Sequence, residues 1–440
     1  METLDLARKV MAQARTAGAD EVAVAVSRGT EVSLVRRANK LEQAHEASSL
    51  SVSFSLLVDD RYSVHSTSDL RPAALEVFLA RAVAATRLLE PEPERRLPEP
   101  ERCGRGSTER ALDRNDETWA DLTADQRREH AERLEAAVED LPKPDPVLSA
   151  TVYVGDSVGE TARVSSNGFE GITRGTSFGH GAELTLRDAD GKRPEAMAYY
   201  SATHRSDLPS IGFIAEDTWR RASERMRASP APSGRYPMLL SAQSVGRILG
   251  VLGGPLSGSE LHQGRSFLAG RQGQRIAASG LSILDDPTVH RGLGSRPYDG
   301  EGVTARPFPV LQDGVLENFY ISTYYARKMG VLPTTGGRSN WVVSPGNRTV
   351  PAMTRDLDRC ILVNGFLGGN SNGQTGDFSF GVQGLLLENG EVVKHLSGMN
   401  VSGNIGELLM RFAEAGSDVW TWSSLRSPSL LFEDVQFSGT

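Results

Sequence analysis

Gly369-Asn370-Ser371-Asn372-Gly373 has the residue types and spacing of a nucleophile elbow, G-x-S-x-G. Such an elbow lifts a serine hydroxyl clear of the backbone on a sharp strand-to-helix turn, ready to attack a carbonyl. Here a strand-like run, 361–366, precedes the pattern, but Gly/Asn-rich text and a further strand follow it. Turn chemistry is therefore the better reading of Ser371. A Ser-x-x-Lys pair is absent, since none of the six lysines has serine three residues before it. The eight histidines, at 45, 65, 130, 180, 204, 262, 290 and 395, make no pair at short spacing, and Cys103 and Cys360 make no Cys-x-x-Cys. Glu42-x-x-His45 is at most half of a carboxylate-bridged metal site, and a solvated strand or turn explains it better. His180, flanked by Gly179 and Gly181, reads as a turn residue. No set has the count and spacing of a zinc cage. Gly292-Leu293-Gly294 lacks the third glycine of a dinucleotide loop, and no P-loop pattern occurs, so phosphate cofactors have no support. Asp377, Glu388 and Glu301 lie in the Gly-rich half, where surface turns carry such carboxylates routinely.

The elements that must position these residues follow from periodicity. Leu4, Leu6, Val10, Met11 and Ala14 fall near a helical period that Gly18 ends. The alternating runs 21–27, 31–35 and 49–58 read as strands of an antiparallel sheet. A helix is expected over 70–89 with Asp69 as N-cap, then a Pro- and charge-rich surface loop over 90–102. A third helix covers 123–141, capped by Thr123 or Asp125. Strands resume at 148–154, 160–166, 171–186 and 197–202, and a helix covers 208–228. The segment 228–237 (ASPAPSGRYP) shows the sharpest change of composition and is the expected boundary between an N-terminal α/β domain, 1–228, and a β-rich C-terminal domain, 235–440. In the second half, helices are expected over 243–252, 323–329 and 405–414. The Glu388-Asn389-Gly390-Glu391 step between two apolar runs is a hairpin turn, because Asn-Gly supplies the two positive-φ positions such a turn demands. The fold class is α+β.

Bulk properties exclude several function classes. A chain of 440 residues with 39% hydrophobic and 24% charged residues is that of a globular protein of about two domains. Its formal net charge is −8 and it has no dense Lys/Arg block, so a nucleic-acid partner is not expected. The first 22 residues carry charges throughout and lack the apolar core of a signal peptide. No run reaches the ~18 apolar residues needed to span a bilayer. Two distant cysteines suit a reducing compartment, and the cytoplasm is the expected location.

The most specific text lies between 280 and 410. Leu281-Ser-Ile-Leu-Asp-Asp-Pro287, Gly300-Glu-Gly302, Asp313-Gly-Val-Leu316, Ser322-Thr-Tyr-Tyr-Ala-Arg-Lys328 and Thr375-Gly-Asp-Phe-Ser-Phe-Gly-Val-Gln-Gly384 occur in one order. Together with Ala17-Gly-Ala-Asp-Glu-Val22 and Leu41-Glu42, this series resembles the TldD/PmbA family over nearly the whole chain. The resemblance implies proteins that work as pairs. A TldD subunit is a zinc metallopeptidase with a His-Glu-x-x-x-His helix and a Cys ligand nearer its C-terminus, and a TldE/PmbA subunit lacks that site. The pairs trim or degrade unfolded and modified peptides, including leader segments of ribosomally made peptide natural products.

Against that pattern, Ala242, Gln243 and Arg247 stand where the peptidase has His, Glu and His, and no cysteine follows Cys360. A methyl group cannot bind zinc, a neutral amide cannot act as general base, and a guanidinium repels a cation. The resemblance therefore implies the TldE/PmbA-type subunit: no cofactor in this chain, zinc in a TldD-like partner, and a peptide substrate. Asp377, Ser379, Asn340 and Trp341 are the expected substrate-channel residues. Two rivals stay open. The chain could hydrolyse peptides alone through Ser371 or an atypical metal site, or it could be a homodimeric peptide-binding protein.

Overall fold

The computed structural model describes residues 2–104, 109–141 and 147–439. The first half is built on one six-stranded antiparallel sheet of order β3-β2-β1-β4-β5-β6. Its strands are β1 (Glu21–Arg37), β2 (Lys40–Val58), β3 (Arg61–Thr67), β4 (Val147–Ser165), β5 (Glu170–Leu186) and β6 (Glu195–Ala202). Alternation dictates the buried face, because side chains two apart share a side. On β1, Val22, Val24 and Val26 are buried near one end, and Val32 and Leu34 near the other. Helices α1 (Thr3–Thr16) and α2 (Pro72–Thr86) cover the first end. After the short α3 (Glu109–Leu112), helices α4 (Ala124–Glu139) and α5 (Ile211–Ser223) cover the second. Thr123 and Gln126 form a reciprocal capping box on α4, and Ser210 caps α5, which satisfies N–H groups that a helix start leaves unpaired.

The second half joins a small sheet to a barrel. Its strands are β7 (Gly234–Leu240), β8 (Ile283–Asp285), β9 (Phe308–Gln312), β10 (Val315–Leu316), β11 (Trp341–Val343), β12 (Cys360–Ser371), β13 (Asp377–Glu388), β14 (Glu391–Asn404), β15 (Phe412–Ala415), β16 (Leu425–Arg426) and β17 (Leu430–Gly439). The order β14-β13-β12-β7-β17 closes on itself through a β14–β17 pairing, and β15 extends β17. Closure removes exposed sheet edges. Phe378, Phe380, Val382, Phe432 and Phe437 are buried within this core. The small sheet, β10-β9-β8-β11-β16, packs against the same core. Short helices α6 (Val245–Leu249), α7 (Gly258–His262), α8 (Thr323–Met329), α9 (Val350–Arg355) and α10 (Ile405–Met410) connect the strands. Asn389 and Gly390 turn the β13–β14 hairpin at φ 52° and 84°, as the Asn-Gly pair requires. No helix among the described residues is long and apolar enough to cross a membrane.

Several sequence expectations change; the helix expected over 405–414 ends at Met410, and Phe412–Ala415 is strand β15. The runs 21–27 and 31–35 are one strand, and so are 148–154 and 160–166, because the intervening Gly29 and Gly159 pair opposite each other inside the sheet. Asp69 does not cap α2. Its carboxylate binds the Arg71 guanidinium instead, and Pro72 opens the helix. The Gly179-His180-Gly181 step is no turn but lies inside β5, opposite Tyr199 and Tyr200. Its glycines leave room for the Tyr199 ring: a Cβ on Gly179 would sit 1.9 Å from the Tyr199 hydroxyl. The loop 90–102 is a strap between the two halves. Arg95 lies 4.5 Å from the Tyr62 ring and 3.4 Å from the Tyr324 ring, Tyr324 Oη donates to Glu92 (2.8 Å), and Arg327 pairs with Glu99 (2.8 Å). A run that composition marks as solvated is held by aromatic and charged partners distant in sequence.

Candidate functional site

Strand β7 delivers the chain to the positions of the expected metal motif. Ser241 N–H donates to Val363 O (3.0 Å) at the end of the β7–β12 pairing. The helix then begins at Val245, so Ala242 and Gln243 occupy the turn before it. Ala242 N–H donates to Ser429 Oγ (3.1 Å), and that hydroxyl donates to Asp418 (2.7 Å). Gln243 Nε2 donates to Asn364 O (3.4 Å). Arg247 donates to Gly368 O and Gly369 O at 3.2 and 3.0 Å, and its guanidinium lies 4.4 Å from the Phe380 ring centroid. Each motif position is thus bonded into the scaffold.

The turn borders a cleft of about 660 Å3 between α5 and the loop before β16, lined by Ala242, Gln243, Asp418, Tyr200, Trp420 and Trp422 among others. Tyr200, Trp420 and Trp422 form a wall with ring centroids 5.0–5.2 Å apart. Trp422 is held by a bond from its indole N–H to Asp207 O (3.0 Å), and the half-exposed Phe213 extends the wall. Asp217 accepts from Tyr200 Oη, from Arg220 (2.6 Å) and from Arg221 (2.7 Å). Arg220 also pairs with Glu224 (2.7 Å), which accepts from Asn364 Nδ2 (2.5 Å). A polar chain therefore runs from Gln243 through Asn364, Glu224 and Arg220 to Asp217, tying the motif turn to α5.

Two titratable groups of the cleft, Asp217 and Tyr200, are both shifted away from neutral pH. Burial alone would raise the Asp217 carboxyl, but Arg221, the Tyr200 hydroxyl and Arg220 outweigh it and hold the group below the usual range. Burial, with Asp217 beside it, pushes the Tyr200 hydroxyl well up. A general base or acid works best with a proton affinity near the working pH, and these two are driven in opposite directions. Among the described residues, no three or more His, Cys, Asp or Glu side chains gather into a possible metal site. Methyl, amide and guanidinium do not suit zinc, and Asp418 is the one carboxylate hydrogen-bonded toward the motif turn through Ser429. What the cleft offers is aromatic surface and paired charge.

The other expected site residues lie elsewhere and are not brought together. Asn340 and Trp341 are fully buried beside and within β11. Asn340 bonds Asp286 O (2.7 Å), Ser295 Oγ (2.8 Å) and Gly294 N–H (2.8 Å), and the Trp341 indole donates to Tyr320 Oη (2.5 Å). Neither presents surface to a peptide in this structure. Asp377 and Ser379 are exposed on one face of β13, and Asp377 accepts from Thr375 Oγ1 (2.7 Å) and Asn404 Nδ2 (3.0 Å), which holds it below the usual carboxylate range and locks the turn. Ser371 pairs with Phe378 at the end of β12, and the chain turns through 372–376 into β13, so the strand-to-helix elbow does not form. Cys103 and Cys360 are buried free thiols.

Sequence reasoning missed the aromatic wall, since Tyr200 is more than two hundred residues from its partners. The Trp420-Thr421-Trp422 triplet, which holds two of the five tryptophans, was the available signal. It also missed a histidine pair. His130 on α4 and His180 on β5 meet at 3.0 Å, Nε2 to Nδ1.

Comparison with known proteins accounts for this architecture. Three models match in order along the chain: PmbA/TldA metallopeptidase domain 1 over residues 22–86, the central domain over 117–226 and the C-terminal domain over 233–439. Metalloprotease PmbA of Escherichia coli O157:H7 is 25% identical over 425 residues, covering 96% of this chain and 92% of the relative. The crystal structure of a Bacteroides thetaiotaomicron protein, provisionally described as a modulator of DNA gyrase, superposes with a TM-score of 0.95 at 33% identity, covering 99% and 98% of the two chains. TldE from Thermococcus kodakarensis superposes with a TM-score of 0.86 at 20% identity over 99% of this chain and 100% of its own, a likeness of fold. With three domain models in register from sheet to barrel and a relative of known structure that matches from end to end, the chain belongs to the PmbA/TldD metallopeptidase family.

Proposed function

We propose that this chain is the non-catalytic, TldE/PmbA-like subunit of a two-chain zinc metallopeptidase. A TldD-like partner supplies the metal, and this subunit walls part of a chamber that receives unfolded or modified peptides. The observation that carries the reading is the state of the motif turn. Ala242, Gln243 and Arg247 offer no donor set for zinc, and all three are engaged by scaffold atoms at Ser429, Asn364 and Gly368–Gly369. The adjoining aromatic cleft supports a role in holding peptide side chains. Its one titratable hub, Asp217, is committed to two arginines and a tyrosine.

The test is co-expression with a His-Glu-x-x-x-His chain from the same genome. The expected result is a stable complex with zinc and peptide hydrolysis that depend on the partner's motif. Stoichiometric zinc with peptidase activity in this chain alone would refute the proposal. Failure to associate with any such partner would favour a homodimeric binding protein.

A further inference from the structure

A second cavity, of about 420 Å3, lies where the strap meets the small sheet of the second half. Three arginines line it: Arg102 from the strap, Arg296 and Arg306. Arg102 Nη2 makes only long contacts to the carbonyls of Pro333 (3.5 Å) and Thr334 (3.4 Å), and its buried Nη1 has no hydrogen-bond partner. The nearest carboxylate to Arg102, on the exposed Glu99, stands 3.8 Å away and is bonded to Arg327. Arg296 donates from Nη2 to Gly337 O, while its buried Nε has no partner. Arg306 is exposed and makes no ion pair among the described residues.

The acids of the cavity do not answer this charge. Asp285 is fully buried and already accepts from Tyr320 Oη (2.6 Å), Ser339 N–H (2.9 Å) and Ser339 Oγ. Glu101 is exposed, where water screens it. A buried N–H of a charged group is costly to leave without an acceptor, and two of the lining arginines each carry one. Guanidinium forks match oxyanions, which they bind through paired charge-assisted bonds. The volume lies in the range of small-molecule sites, roughly 300–1,000 Å3. Pro287, Pro307 and Phe308 supply an apolar wall beside the arginines.

We infer that the Arg102–Arg296–Arg306 cavity binds a small oxyanion, either a free carboxylate such as a short peptide's C-terminus or a phosphate. Because Arg102 belongs to the strap and Arg296 and Arg306 to the second half, the bound anion also fastens the strap. The site does not depend on the subunit reading above, since it shares no residue with the aromatic cleft.

The experiment is isothermal titration calorimetry of the full chain with inorganic phosphate, with a tripeptide ending in a free carboxylate, and with the same tripeptide amidated. Stoichiometric binding of phosphate or of the free acid is expected, with the amide at least tenfold weaker than the acid if the carboxylate is the ligand. Arg306→Ala, at an exposed position, and Arg102→Lys, which keeps the charge but loses the fork, should each weaken binding about tenfold or more. Arg235→Ala, on a distant barrel strand, should leave it unchanged. No binding of either anion, or binding that survives both Arg306→Ala and Arg102→Lys, overturns the inference.

Discussion

Acid should destabilise this protein in part through one buried histidine pair, and that share can be sized from the structure. His180 is almost wholly buried on β5, with its Nδ1 3.0 Å from His130 Nε2 on α4. One ring donates and the other accepts, so the pair is matched only while at least one stays neutral. Burial pushes His180 from 6.5 down to about 3, helped by His130 and Arg205. Burial, then Arg205 and Arg133, push His130 down to about 4. Both folded-state values lie below those of the unfolded chain. Stability is therefore complete above pH 6.5 and is lost as pH falls, because the unfolded chain takes up protons that the fold refuses. Each such proton costs about 1.4 kcal/mol per pH unit. Between about pH 6.5 and 4.5 that amounts to roughly 2.7 kcal/mol for His180, with a smaller share from the half-buried His130. His180→Gln keeps an amide donor and acceptor at the position but cannot titrate. Urea denaturation, followed by tryptophan fluorescence at pH 7 and near pH 4.5, should show the native chain losing roughly 2–3 kcal/mol more than the variant. Carboxylates elsewhere contribute equally to both proteins and cancel. Parallel losses in the two would refute the reasoning.

Three further outcomes are expected. Arg247→Ala removes two bonds to the Gly368 and Gly369 carbonyls and the contact with Phe380; a loss of about 1–2 kcal/mol in denaturation is expected, with no gain of zinc by metal analysis. Arg95→Ala empties the space between the Tyr62 and Tyr324 rings. Limited proteolysis should then cut the 90–102 strap several times faster than in the native chain, at a stability cost of about 1 kcal/mol. Gly384→Ala would place a methyl 2.1 Å from Leu362 O on the neighbouring strand. The β12–β13 ladder must then separate, and a destabilisation of about 3 kcal/mol is expected by thermal or urea unfolding, against little effect for Gly300→Ala, where a Cβ meets nothing within 4 Å.

The sequence by itself determined the local order of this protein. The period-2 runs of β1 and β4, the Thr123 cap, the Asn389-Gly390 hairpin and α8 over Thr323–Met329 were all legible, because each depends on residues within a few positions of one another. So was the α+β class, and so was the family, which rests on a string of motifs in fixed order. The unsuitability of Ala242, Gln243 and Arg247 for zinc followed from side-chain chemistry alone. Only the tertiary structure decided what meets what. Nothing local in the sequence said that Asn340 and Trp341, expected in a substrate channel, would be buried where β11 pairs with β8 and β16. His130 and His180 had no pairing signal until α4 lay across β5. The aromatic wall needed Tyr200 from one sheet and Trp420–Trp422 from a loop of the other half, and a bland charged loop became a strap once Tyr62 and Tyr324 enclosed Arg95. Local propensity acts through neighbours along the chain, whereas burial, desolvation and ion pairing depend on neighbours in space, and no single sequence lists those.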